Sequence, residues 1–225
     1  AKTAQYLTSS IFAMRNASAA VLDLLAHPDL DPIPEPPIHN IERWWSTTAR
    51  MFLCRLRRAI EQATAPDTPE QTLLMIAFCR TLIKLSNAAF NHQSMSFHEE
   101  QQSKLDLFHD MPALFCEDLE FVLTGAQQNP TGSSRIIQGD ARTITIDSDP
   151  FNLLITSPPY ANRMSYIREL RPYMYWLGFL VNGRDAGELD WQCIGGTWGV
   201  ATSRLTEWSA DNTIYVPPDL IDVLT

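Results

Sequence analysis

At 225 residues and 45% hydrophobic composition, the chain is long enough for one large domain or two small ones and apolar enough for a real core, which excludes an intrinsically disordered polypeptide. A net charge of −9 argues against a grip on nucleic acid spread over the whole surface, so any such contact has to be local. The longest apolar run, Tyr173 to Val181, is far short of the roughly 20 residues that span a bilayer, and the N-terminus has neither the basic nor the apolar region of a signal peptide.

The four cysteines, Cys54, Cys79, Cys116 and Cys193, are scattered without a CxxC pair. That spacing points to reduced thiols in a cytoplasmic protein rather than a disulfide frame or a zinc site. On this reading the Asn16-Ala17-Ser18 sequon is a chance match.

Residues 1–128 read as a helical region. The proline-rich run Asp29–Asn40 is a connector. After it, Ile41, Trp44, Trp45, Phe52, Leu53, Leu56 and Ile60 recur at spacings of three, four or seven, which predicts one amphipathic helix with its apolar side in the core. Arg55, Arg57 and Arg58 lie among them and read as a solvated face. Thr68-Pro69-Glu70-Gln71 has the form of a capping box with proline at the first helical position. Leu73, Leu74, Ile76, Ala77, Leu82 and Leu85 would then carry the next helix inward.

Past Gly125 the texture changes, and residues 129–225 read as part of an α/β catalytic domain. QQNPTGSS is a polar linker, RIIQGDARTITI gives a short strand and a turn, and SDPFNLLITS predicts a turn followed by a buried strand. Asp147 and Asp149 belong to that turn rather than to a metal site. In open α/β sheets ligands sit beyond the carboxyl ends of strands, which is where Thr156-Ser157-Pro158-Pro159-Tyr160 would lie.

Pro158 and Pro159 supply no N–H and hold φ near −65°, and Ser157 before them is pushed to an extended conformation. Such a stiff, donor-poor segment offers oxygens to an incoming amino group. The Ser157 hydroxyl and a carbonyl of the proline segment, that of Pro158, would each accept one amino hydrogen and orient the nitrogen lone pair. Tyr160 would give a flat face for a base to stack on.

SPPY after an apolar strand resembles the catalytic motif of the DNA amino-methyltransferases, which methylate exocyclic nitrogens with S-adenosylmethionine, and TSPPY is most typical of their cytosine-N4 members. Gly139-Asp140-Ala141-Arg142 resembles the turn before this strand in that family, and the stretches NRMSYIRELRPYMYWLGF and IGGTWGVATSRL resemble sequence that follows SPPY in one branch. The likeness runs from about Arg135 to Leu205, with a weaker match in the helical half. It implies a Rossmann-like methyltransferase sheet with a large helical region before it, and a DNA target base flipped out of the duplex onto Tyr160. Ser157, Pro158, Pro159 and Tyr160 would be catalytic. Asp140, Ala141, Thr156 and Ser157 would face the cofactor. Tyr160, Asn162, Arg163, Tyr166 and Arg168, with Arg171 beyond, would meet DNA. No metal is implied.

The family's glycine-rich FxGxG-like loop, which holds the methionine end of the cofactor, has no counterpart: all nine glycines lie at or after position 125 and none forms that pattern. The expectation is that another part of the same polypeptide, or a second subunit, supplies it. An RNA guanine-N2 or adenine-N6 methyltransferase is the nearest rival reading, and a non-catalytic DNA-binding partner subunit is another. Tyr173, Tyr175, Trp176, Phe179, Trp44 and Trp45 read as core residues. No cysteine follows a proline, which argues against carbon-5 cytosine methylation by a covalent thiolate.

Overall fold

The computed structural model describes residues 10–89, 96–97, 110–128, 136–137, 139, 151–156 and 166–193. Among these the chain forms six α-helices. They are α1 (Ser10–Ala26), α2 (Thr47–Ala63), α3 (Pro69–Lys84), α4 (Met111–Gln127), α5 (Tyr166–Trp176) and α6 (Asp185–Gln192). A short 3-10 turn, Ile41–Arg43, precedes α2. Among the described residues the one pairing of strands joins β1 (Ala88–Ala89) to β2 (Ser96–Phe97), antiparallel and two residues long on each side.

The expected α/β architecture is therefore corrected. The described residues form a helical assembly and contain no Rossmann-like sheet. The run 151–156, expected as a buried strand, has no ladder partner and is exposed along its whole length, with Leu154 83% and Ile155 85% accessible. An apolar run becomes a strand only when a neighbour takes its N–H and C=O groups, and no described segment does so.

One long helix was expected from Ile41 onward, and the chain instead breaks at Ser46. Its side-chain oxygen accepts from the Ala49 amide at 3.1 Å and starts α2 afresh. Trp44 and Trp45 fall in the bend before it and are both buried. Thr68 caps α3 as its sequence implies, accepting from the Gln71 amide at 3.2 Å, with Pro69 opening the helix. The return bond of the box is shifted by one residue: the Gln71 side-chain oxygen accepts from the amide of Asp67, which sits in the left-handed region at φ 61°. Asp110 caps α4 in the same way, through the Ala113 amide at 3.1 Å.

Helices α1 to α4 bury a common core that includes Leu53, Leu56 and Ile60 of α2, Leu74 and Phe78 of α3, and Phe115 of α4. The α3–α4 seam carries one charged hub. The Asp118 carboxylate is fully buried and accepts from Arg80 Nε at 3.1 Å, Lys84 Nζ at 2.7 Å and Thr81 Oγ1 at 3.0 Å. A buried carboxylate is tolerable only when its lone pairs are filled in this way.

The proline-rich connector between α1 and α2 poses the converse difficulty, since its prolines bring carbonyls without matching N–H groups. Arg55 supplies the donors. Its guanidinium reaches the carbonyls of Leu25 and Leu30 at 3.0 Å, His27 at 2.6 Å and Pro28 at 3.4 Å, and Arg58 Nε donates to that of Asp31 at 3.2 Å. The arginines expected on a solvated face are backbone clamps.

Replacing Asp118 with alanine should lower stability by about 2 kcal/mol, below the value for a fully enclosed ion pair because Arg80 and Lys84 can return to water. Arg80→Ala should cost clearly less, since Lys84 and Thr81 still satisfy the carboxylate. Urea denaturation of the two variants decides it, and equal losses would show that Asp118 is not the hub.

Candidate functional site

Ser157, Pro158, Pro159 and Tyr160 lie outside the described residues, as do Asp140, Ala141, Asn162 and Arg163. What the structure does place are the two flanks of the motif. On the upstream side, Thr156 ends the exposed 151–156 run and is itself exposed.

On the downstream side, α5 opens with Tyr166 and Arg168, both half-buried. The helix carries a proline in its interior, Pro172, which has no N–H to give the carbonyl of Arg168 four residues back. It runs on to Trp176 and ends in a Schellman turn: Gly178 takes φ 79° and the Phe179 amide donates to the Met174 carbonyl at 2.8 Å. Asp185 then starts α6 by accepting from the amides of Val181 and Asn182 at 2.9 and 2.8 Å, and these donors hold its carboxyl below the usual aspartate range.

Helix α5 is fixed to the helical region through its last turn. The Trp176 indole is buried edge-on against Trp45, with ring centroids 5.6 Å apart, and tilted against Phe78 at 6.0 Å. Arg57 of α2 donates to the Trp176 carbonyl and, through Nε, to Glu61 at 2.8 Å. Arg171, expected among residues facing DNA, holds its guanidinium 5.2 Å from the centre of the Trp44 ring. Burial, and the neighbouring charge of Arg168, push its pKa down. The structure thus gives Arg171 a packing contact with the helical region.

The aromatic expectations divide. Trp44, Trp45, Tyr175 and Trp176 are core residues and Tyr173 is half-buried, whereas Phe179 is 73% exposed. The role of Arg57 in holding α5 was not legible from sequence. Its spacing to Glu61 was visible, but the third partner lies 119 positions away.

All four thiols are held toward the protonated form. Burial is the first cause in each case, and it pushes Cys54 and Cys79 from the ordinary 9.0 to about 11. For Cys116 the carboxylates of Asp110 and Glu120 add to it, and for Cys193 that of Asp190 does. A thiol is a nucleophile only as thiolate, so none of these is poised for covalent catalysis. Among the described residues no group of three or more His, Cys, Asp or Glu side chains could hold a metal ion, and no helix is long and apolar enough to cross a membrane. Comparison with protein-family models, with curated proteins and with solved structures finds no match to the chain.

Two outcomes follow from this geometry. Trp176→Ala should destabilise the protein by about 3 to 5 kcal/mol, as loss of a large buried aromatic does. Trp176→Phe should cost much less, because the buried Nε1 donates to no acceptor in the native state. Thermal unfolding monitored by circular dichroism separates the two. The second concerns alkali. A thiol that stays protonated when folded but ionises when unfolded favours unfolding as pH rises. The contribution of Cys54 and Cys79 is therefore intact below about 9.0 and lost progressively toward about 11. Urea midpoints across that window should fall, and fall less steeply in Cys54→Ala; an unchanged slope would refute the assignment.

Proposed function

We propose that the chain carries the amino-group cradle of an S-adenosylmethionine-dependent DNA methyltransferase acting on an exocyclic nitrogen, cytosine N4. The observation that carries this reading is the sequence Thr156-Ser157-Pro158-Pro159-Tyr160 directly after the apolar run of residues 151–155. S-adenosylmethionine would supply the methyl group. The chain's own residues bind and orient the acceptor: Ser157 Oγ and the Pro158 carbonyl take the two amino hydrogens, and Tyr160 stacks on the flipped base. The state of the cysteines supports direct transfer over a covalent thiolate route, since all four are pushed toward the neutral thiol.

Two features support the placement of DNA contacts after the motif. Asn162, Arg163, Tyr166 and Arg168 follow it closely and concentrate positive charge in a chain of net −9. Helix α5, which bears Tyr166 and Arg168, has a rigid mount at its far end in Trp176. A restriction–modification setting fits this activity. RNA guanine-N2 or adenine-N6 would fit the same cradle, because it recognises any planar amino group.

A second reading has its own observation. The nine glycines form no FxGxG-like loop, which favours a partner subunit or segment that contributes DNA contacts while another part of the polypeptide, or another subunit, holds the cofactor.

The test is methylation of unmodified DNA by labelled S-adenosylmethionine, using the chain alone and within any longer reading frame that contains it, followed by chromatography of the nucleosides. Label is expected in N4-methylcytosine, and Ser157→Ala should reduce it by about a hundredfold, the scale of losing one oriented hydrogen bond at the reacting centre. Label in N6-methyladenine would refute the base assignment, and label in RNA alone the substrate class. Full activity in Ser157→Ala would refute the cradle.

A further inference from the structure

Away from the motif, a groove of about 670 Å³ opens between α3 and the end of α5. Its volume falls within the range of small-molecule sites, roughly 300 to 1,000 Å³. Met75, Ile76, Cys79 and Ile83, recurring every three or four positions on α3, form the floor. Tyr173, Leu177 and Phe179 form one wall. Phe179 stays 73% exposed because the Schellman turn at Gly178 fixes it there rather than in the core.

The charges around the groove are uneven. Arg57 and Arg80 both line it, and each belongs to a cluster with one more cation than anion. Arg57 and Arg58 share Glu61, and Arg80 and Lys84 share Asp118. Both guanidiniums also have donors to spare. Arg57 uses Nε on Glu61 and Nη1 on the Trp176 carbonyl, and Arg80 uses Nε on Asp118 while its plane lies 3.9 Å from the Phe121 ring centre. Among the described residues, Nη2 of Arg57 and both terminal amino groups of Arg80 donate to nothing further. Among the described lining residues the one carboxylate is that of Asp67. It precedes the first turn of α3, roughly 20 Å along the helix axis from Arg80.

We propose that this groove binds a free monoanionic amphiphile, an aliphatic carboxylate of medium chain length. Its carboxylate takes the spare terminal amino groups of Arg80, and its chain lies along Met75 and Ile76 between the helix and Phe179. Charge sets the direction: the cation surplus of Arg80 and Lys84 over Asp118 draws the carboxylate to that end of the groove. The floor matches an alkyl chain because it offers methyl, thioether and thiol surface with few polar groups.

Cys79 in the floor reports occupancy. The native chain is alkylated with N-ethylmaleimide, and each cysteine-containing peptide is quantified by mass spectrometry without ligand, with decanoate, and with decylammonium, all below micelle-forming concentrations. Decanoate should slow labelling of Cys79 about tenfold at saturation and leave Cys116 and Cys193 unchanged, with decylammonium at least about tenfold less potent. Arg80→Gln, shown to be folded by circular dichroism, should need about tenfold more decanoate for the same protection. If that variant does not fold, the comparison of head groups in the native chain decides alone. Four results would overturn the proposal: no protection of Cys79, equal protection by the two head groups, equal slowing at all three half-buried cysteines, or labelling of core Cys54, which would show decanoate acting as a denaturant.

Discussion

The indole of Trp176 is the point at which α5 is joined to the N-terminal helices. It belongs to the helix that follows the SPPY motif, yet its ring is packed against Trp45 and Phe78 of the N-terminal helices, and its carbonyl is held by Arg57. A large aromatic ring is suited to this: it buries more surface than an aliphatic side chain and loses little rotamer freedom in doing so. Its buried Nε1, which donates to no acceptor, is the cost of that choice. Packing outweighs it here, because the ring meets aromatic neighbours on two sides. Whatever the first turn of α5 does, it does from a helix whose last turn is packed against the N-terminal helices.

The same division between packing and polarity runs through the charged residues. Arginines that a helical wheel assigns to solvent are spent on backbone carbonyls, on an indole face or on a buried carboxylate. Among the described residues, most of the positive charge of this net-acidic protein is committed to its own structure. On the proposed readings, positive charge for a polyanion comes from the residues that follow the motif in sequence, and positive charge for a small anion from guanidinium edges left over after their structural bonds are made.

Helix positions and caps were legible in the sequence because they depend on neighbours three or four residues away. Thr68, Pro69 and the alternation through Leu73, Leu74 and Ala77 mark α3 without reference to anything distant. The break at Ser46 was less visible, since Trp44 and Trp45 keep the helical period while a single hydroxyl ends it. Sheet formation could not be read in this way. The apolar run 151–155 has the composition of a buried strand, but composition does not supply a partner, and among the described residues none pairs with it. For the site, the motif itself is a local signal, whereas the mount of α5 is not: Arg57 and Trp176 meet across more than half the chain. Nothing at either position announces the other.

Arg55 and the connector it clamps carry a lesson about substitution. The guanidinium is planar, with donors fanned across one plane, and the carbonyls of Leu25, His27, Pro28 and Leu30 are arrayed to meet that fan. A lysine would keep the charge and lose the fan, with one ammonium in place of donors spread over four carbonyls. Residues 25–31 and position 55 are therefore a single unit of sequence, written in two places.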